Sequence, residues 1–178
     1  RRRVLDVFCH SGGFSVHAAV GGAAEVTSVD ASAAALGLAA RHFELNADHA
    51  SVARCEHRTV EGDAFAVMES MAAAGDRFDL VVVDPPSFAH RAADRERALR
   101  AYRRLAELGI ELTDRRGWYV QSSCSSRVTA EDLRATVRDA VDASGRHGEL
   151  RWQTGHAADH PIGFAHGEYL STTYWRFE

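Results

Sequence analysis

The residues best suited to chemistry fall in short stretches that each follow a run of β-type residues. In Asp6-Val7-Phe8-Cys9-His10-Ser11-Gly12-Gly13-Phe14, a glycine pair at a strand-to-helix turn lets a ligand approach the backbone closely. No G-x-G-x-x-G fingerprint is present, so no pyrophosphate cradle is evident and a dehydrogenase is disfavoured. Val29-Asp30 ends the next run; a carboxylate there can accept hydrogen bonds from both hydroxyls of a ribose, which implies a ligand containing a nucleoside. Gly62-Asp63-Ala64-Phe65 offers Asp63 to an adenine amino group, with Phe65 packing near the ring. Asp84-Pro85-Pro86-Ser87-Phe88 is a fourth such stretch, and Ser122-Ser123-Cys124-Ser125-Ser126 a fifth. Each has a plainer reading: Asp30 and Asp63 as helix caps, the glycines as turn formers, Phe88 as a core residue and Cys124 as a small buried thiol. Their recurrence at the ends of successive strands favours one shared crevice.

Those stretches need a parallel sheet to bring them together. Short β-type runs alternate with longer helical ones, the pattern of an α/β domain. Strands are predicted at Val4 to Phe8, Glu25 to Asp30, Ala53 to Thr59, Leu80 to Asp84, Gly117 to Ser122, Glu149 to Thr154 and Tyr169 to Phe177. Helices are predicted at Gly13 to Val20, Ala33 to Asn46, Ala64 to Ala74, Arg95 to Asp114 and Ala130 to Ser144, with Ser32 and Thr129 as N-caps. No helix separates the last two strands, which predicts an antiparallel hairpin at the sheet edge. No linker or internal repeat divides residues 1–178, so one domain is expected. The first strand follows Arg3 directly, which suggests a catalytic domain taken from a longer protein or a compact stand-alone version.

Composition agrees with a folded domain: 46% hydrophobic and 26% charged residues exclude disorder. No apolar run reaches the ~20 residues of a membrane span, and Asp6 interrupts the stretch after Arg1 to Arg3 that could suggest a signal peptide. A cytoplasmic location is expected. Cys9, Cys55 and Cys124 lack paired spacing and are expected as free thiols, Cys9 as packing and Cys55 as core within the third strand. The formal net charge of −4 argues against coating by nucleic acid over the whole surface. Six arginines between Arg91 and Arg104 nevertheless face only Asp94 and Glu96, a local excess of about four positive charges. A basic face for RNA phosphates and an ordinary solvated helix are both consistent with that run. His156, His160 and His166 could be drawn as a metal cluster, but they are loop-borne and lack a partnering cysteine, so no metal is expected.

Taken together, V-L-D-V-F-C-H-S-G-G-F, S-V-D-A-S, F-E-L-N, G-D-A-F, D-P-P-S-F, S-S-C-S-S and A-A-D-H-P resemble the class I S-adenosylmethionine-dependent methyltransferases over essentially the whole chain. More narrowly, they resemble the catalytic domain of the large-subunit ribosomal RNA cytosine methyltransferase I family. The resemblance implies a Rossmann-like, mostly parallel seven-stranded sheet of order 3-2-1-4-5-7-6, with its last strand antiparallel and helices on both faces. It implies that Phe8, His10, Ser11, Gly12, Gly13 and Phe14 wrap the methionine end of S-adenosylmethionine. Asp30 would hold the ribose, and Asp63, Ala64 and Phe65 the adenine, with Asp84 also at the cofactor. The substrate would be RNA, most readily ribosomal, methylated on carbon 5 of cytosine. That carbon is a poor nucleophile until a thiolate adds to carbon 6, and the S-C-S position of the family assigns this to Cys124. Asp84 and Pro85 would orient the base, Phe88 would stack on it, and Arg100, Arg103, Arg104 and His160 would contact RNA. The sequence departs from the family's pattern in His10-Ser11 and in Gly163 to Tyr169, and residues 1–178 do not include the RNA-binding PUA domain usual there. An N-methyltransferase acting on an exocyclic amine, a non-catalytic cofactor- or RNA-binding module and a small-molecule methyltransferase are the competing readings; a homodimer is left open.

Overall fold

The computed structural model of the chain describes residues 2–89, 91–160, 162–163 and 167–178. Seven strands form one sheet: β1 (Arg3–Val7), β2 (Glu25–Asp30), β3 (Glu56–Glu61), β4 (Phe78–Val83), β5 (Thr113–Ser123), β6 (Gly148–Thr154) and β7 (Ser171–Phe177). Their order is β3-β2-β1-β4-β5-β7-β6, as expected. Neighbours from β3 to β5 run parallel, and β7 runs antiparallel to both β5 and β6, so the hairpin forms the edge.

Helices α1 (Gly13–Val20), α2 (Ala33–Leu45) and the short α3 (Ala50–Ala53) lie over β1 to β3 on one face. On the other face lie α4 (Ala64–Ala73), α5 (Arg95–Leu112) and α6 (Ala130–Ala143), sealing the larger core of Leu5, Val81, Val83, Tyr119, Trp175 and Phe177. Alternate residues of these strands explain the asymmetry: Leu80, Trp118, Trp152 and Tyr174 face away from that core, and Trp152 is 57% exposed against its stacked neighbour Trp118. No described helix is long and apolar enough to cross a membrane.

The helix starts follow local side-chain chemistry. Ser32 accepts from the Ala35 N–H at 3.2 Å, and Thr129 forms a reciprocal capping box with Asp132. Strand starts are corrected: β4 begins at Phe78 rather than Leu80, and three others shift for reasons the structure shows. The third strand begins at Glu56 rather than Ala53, because residues 50–53 close a helical turn that buries Val52. Cys55 therefore lies in the connection, half-buried beside the smaller core cluster, and not within the strand. The fifth strand begins at Thr113 rather than Gly117, since α5 stops at Leu112 before reaching Asp114. The last strand begins at Ser171 rather than Tyr169, because the N–H groups of Tyr169 and Leu170 donate to the His156 ring at 3.2 Å each.

Candidate active site

Strand order sets the site. Because β1 sits between β2 and β4, and β5 lies beyond β4, the loops leaving their carboxyl ends open side by side where the strand order reverses. A crevice of about 540 Å³ there is lined by Phe8, His10, Asp30, Asp63, Asp84 and Cys124, together with Ala31, Ala64, Pro85, Pro86 and Leu170. That volume suits a nucleoside-sized ligand.

The loop after β1 is held in a rare backbone shape. Phe8 and His10 have φ of 63° and 47°, and Gly12 has 76°. Left-handed conformations at non-glycine residues cost about 1–3 kcal/mol each and gather at ligand sites. Gly12 is required sterically as well, since a Cβ there would lie 2.8 Å from the Ala39 Cβ and 3.1 Å from its Cα, preventing α1 from starting against α2. Asp30 ties this loop down: its two oxygens accept the N–H groups of His10 and Ser32, each at 2.9 Å. Each oxygen keeps a second lone-pair direction for a ligand hydroxyl. Asp63 does cap α4, accepting the Ala66 N–H through Oδ1 at 3.0 Å, yet it also lines the crevice. Asp63 thus caps a helix and faces the crevice at once.

On the opposite wall, Cys124 leaves the end of β5 with its Sγ 3.8 Å from the Pro85 carbonyl. Burial, and then the Asp84 charge, push its thiol up from the ordinary cysteine range. Burial also raises Asp84, partly offset by Ser122. The serines flanking Cys124 are engaged: Ser123 donates to the buried Tyr102 hydroxyl at 3.0 Å, and Ser125 to the Ala89 carbonyl at 3.2 Å. They fasten the Cys124 turn to α5 and to the loop following Asp84. Cys9 is buried beneath the first loop, its thiol pushed up to about 12 by burial and by the Asp6 and Asp30 charges.

Other expected residues fall outside the crevice lining. Ser11, Gly12, Gly13 and Phe14 continue the first loop into α1, and Phe14 is half-exposed. Phe65 packs against the larger core, as does Phe88, which meets Tyr102 at 5.2 Å between ring centroids. Arg103 pairs with Glu107 and Asp139, and Arg104 with Glu69 and Glu107. Arg100 is exposed and has no acidic partner among the described residues. His160 stacks on His156, whose Nε2 already accepts two backbone N–H groups. Pro161 and His166 lie outside the described residues.

The sequence reading missed Asp6. It is 1% exposed, its Oδ2 accepts from Ser15 Oγ at 2.6 Å, and its Oδ1 has no partner among the described residues. Burial, with Asp84 and Asp30 nearby, raises its pKa from 3.8 to about 6 despite hydrogen bonds from the Ser15 hydroxyl and backbone N–H. The folded state therefore holds a proton that the unfolded chain has released, and stability is lost as pH rises from about 4 to about 6. That interval corresponds to about 3 kcal/mol. Asp6→Asn is expected to abolish this decline and to be the more stable protein at pH 7. Denaturant titrations across this range check it; parallel curves for the two proteins would refute the assignment.

A family model described as conserved hypothetical protein 95 matches residues 1–128. The chain is 45% identical, over 99% of its length, to the "Ribosomal RNA large subunit methyltransferase" of Deinococcus radiodurans, covering 42% of that protein. It is 38% identical, over 95% of its length, to the "Ribosomal RNA large subunit methyltransferase I" of Tolumonas auensis, again covering 42%. The chain thus spans less than half the length of the curated relatives it matches. Among solved structures, SMU.776 complexed with SAH shares the fold with a TM-score of 0.82 at 24% identity, over 98% of this chain and 45% of that one.

Proposed function

The chain belongs to the conserved hypothetical protein 95 family, and on that premise we propose that residues 1–178 are the catalytic domain of an S-adenosylmethionine-dependent RNA methyltransferase. Its target is carbon 5 of cytosine in ribosomal RNA. The observation that carries this reading is the meeting of Cys124 with Asp84 and Pro85 in the crevice that also holds Asp30 and Asp63. The curated relatives, named as ribosomal RNA large subunit methyltransferases, supply the substrate class.

The residues fit the ligand. Asp30 accepts the ribose hydroxyls, Asp63 the adenine amino group, and three carboxylates in and beneath the crevice, Asp6, Asp30 and Asp84, favour a cation. S-adenosylmethionine, when bound, supplies an electrophilic methyl group on a positively charged sulfur. Asp84 and the Pro85 carbonyl orient the cytosine edge. Cys124 gives its proton to solvent and its sulfur bonds to carbon 6, moving the electron pair of the carbon 5–carbon 6 double bond toward carbon 5, which then would be electron-rich enough to accept a methyl group. A water molecule then takes the carbon 5 proton, and the electron pair of that bond expels the Cys124 thiolate, restoring the ring.

The serine between the second proline and Phe88, and the packing of Phe88 on Tyr102, weigh against a ring poised for an exocyclic amine. Ribosomal RNA incubated with the protein and methyl-labelled S-adenosylmethionine is expected to yield labelled 5-methylcytidine in nucleoside mass spectrometry. Label in an N-methylated nucleoside would replace the carbon reading with the nitrogen one.

A further inference from the structure

Three hydroxyl and imidazole groups continue the Asp6 contact through the sheet. Ser15 Oγ, from α1, lies 2.6 Å from Asp6 Oδ2 and 2.7 Å from Ser28 Oγ on β2. Ser28 Oγ lies 2.8 Å from His57 Nε2 on β3. Asp6, Ser15 and Ser28 are buried, whereas the half-buried His57 stacks on Phe43 of α2 at 3.7 Å between ring centroids. An ionised carboxylate only accepts, so Ser15 spends its one proton on Asp6 and must accept from Ser28. Ser28 then has only an acceptor left for His57, and Nε2 must carry a hydrogen. Each donor in the chain therefore points toward Asp6.

We propose that His57 is a positioning residue for the ligand crevice: through Ser28 and Ser15 it holds Asp6 as a carboxylate whose remaining oxygen receives the positively charged end of the ligand. This rests on the reading of the crevice as an S-adenosylmethionine site. Asp6 sits beneath a crevice lined by Asp30 and Asp84, with Cys9 beside it, and its Oδ1 has no described protein partner. A buried anion among other anions persists where a cation completes it and where donors stabilise it from behind. Ser15 reaches Asp6 through its hydroxyl and its backbone N–H, and a polarised chain ending on an imidazole strengthens the hydroxyl's share. On the His57 side, Phe43 covers the ring from α2, and burial is the influence that lowers its basicity.

Two measurements test this. First, long-range nitrogen–proton NMR of His57 at pH 7 is expected to find the Nε2–H form; an Nδ1–H form would overturn the chain. Second, calorimetry compares S-adenosylmethionine, S-adenosylhomocysteine and 5′-methylthioadenosine, which lacks the amino-acid part. His57→Phe and Ser28→Ala are expected to weaken the first two by roughly tenfold at pH 6.5 and to leave the third unchanged. The preference of the wild type for S-adenosylmethionine over 5′-methylthioadenosine should fall below about pH 6, and in both variants that fall should move to higher pH. Wild-type preferences in both variants, with unfolding midpoints confirming that they fold, would refute the role of His57 alone. A wild type that binds none of the three compounds would refute the crevice reading and this proposal with it.

Discussion

Cys124→Ser is expected to lower methyl transfer to RNA on the order of a thousandfold or more while leaving S-adenosylmethionine binding within about twofold. The substitution is nearly isosteric, and the Cys124 sulfur is held by weak backbone contacts such as that to the Pro85 carbonyl at 3.8 Å, so the fold should tolerate it. What it removes is ionisable sulfur: a serine hydroxyl is far less ionised and far less nucleophilic near neutral pH. The free protein keeps that sulfur quiet, because burial and the Asp84 charge both favour the thiol. Alkylation of Cys124 by iodoacetamide should therefore be slower than that of an exposed cysteine and should quicken with rising pH. Asp84→Asn should speed alkylation by removing the neighbouring charge, yet slow methyl transfer by removing the group that orients the base. Opposite movements of the two rates separate a catalytic Asp84 from one that merely ends β4. Full activity in Cys124→Ser would move the reaction to an exocyclic amine.

The second large effect belongs to Asp30. Asp30→Ala is expected to weaken S-adenosylmethionine binding by about 1–3 kcal/mol, roughly 5- to 150-fold. Part of that loss is direct, since the carboxylate is the acceptor for ribose hydroxyls. The rest comes through the loop, because both oxygens hold backbone N–H groups, of His10 and of Ser32, at 2.9 Å. Asp30→Asn should fare little better than alanine: its amide would place a donor against one of those N–H groups. Calorimetry on both variants decides the matter, and unchanged affinity in both would leave Asp30 as a loop brace and nothing more.

Much of this arrangement is legible in the sequence because its causes are local. Ser32 and Thr129 cap helices through contacts three residues away, and alternating strands and helices leave few ways to order a sheet. Asp30, Asp63, Asp84 and Cys124 could be placed at one edge because each ends or follows a strand. Features made across the chain were hidden. The charge excess at Arg91 to Arg104 is partly answered by Glu69 and Asp139, far away in sequence, so local counting overstates how much positive charge faces solvent. The start of β7 is set by His156, which takes two N–H groups that would otherwise extend the strand. The Asp6 chain draws on α1, β2 and β3, and nothing in the spacing of Ser15, Ser28 and His57 announces it.

Trapping on RNA containing 5-fluorocytosine tests the central claim most directly. The fluorine cannot leave as a proton does, so once the methyl group has been transferred the Cys124 to carbon 6 bond should persist. Wild-type protein incubated with such RNA and S-adenosylmethionine, then digested and analysed by peptide mass spectrometry, is expected to carry a methylated fluorocytidine nucleotide on Cys124, and Cys124→Ser none. Efficient methylation of ordinary cytosine RNA by a protein that forms no adduct with the fluorinated RNA would contradict covalent catalysis by Cys124.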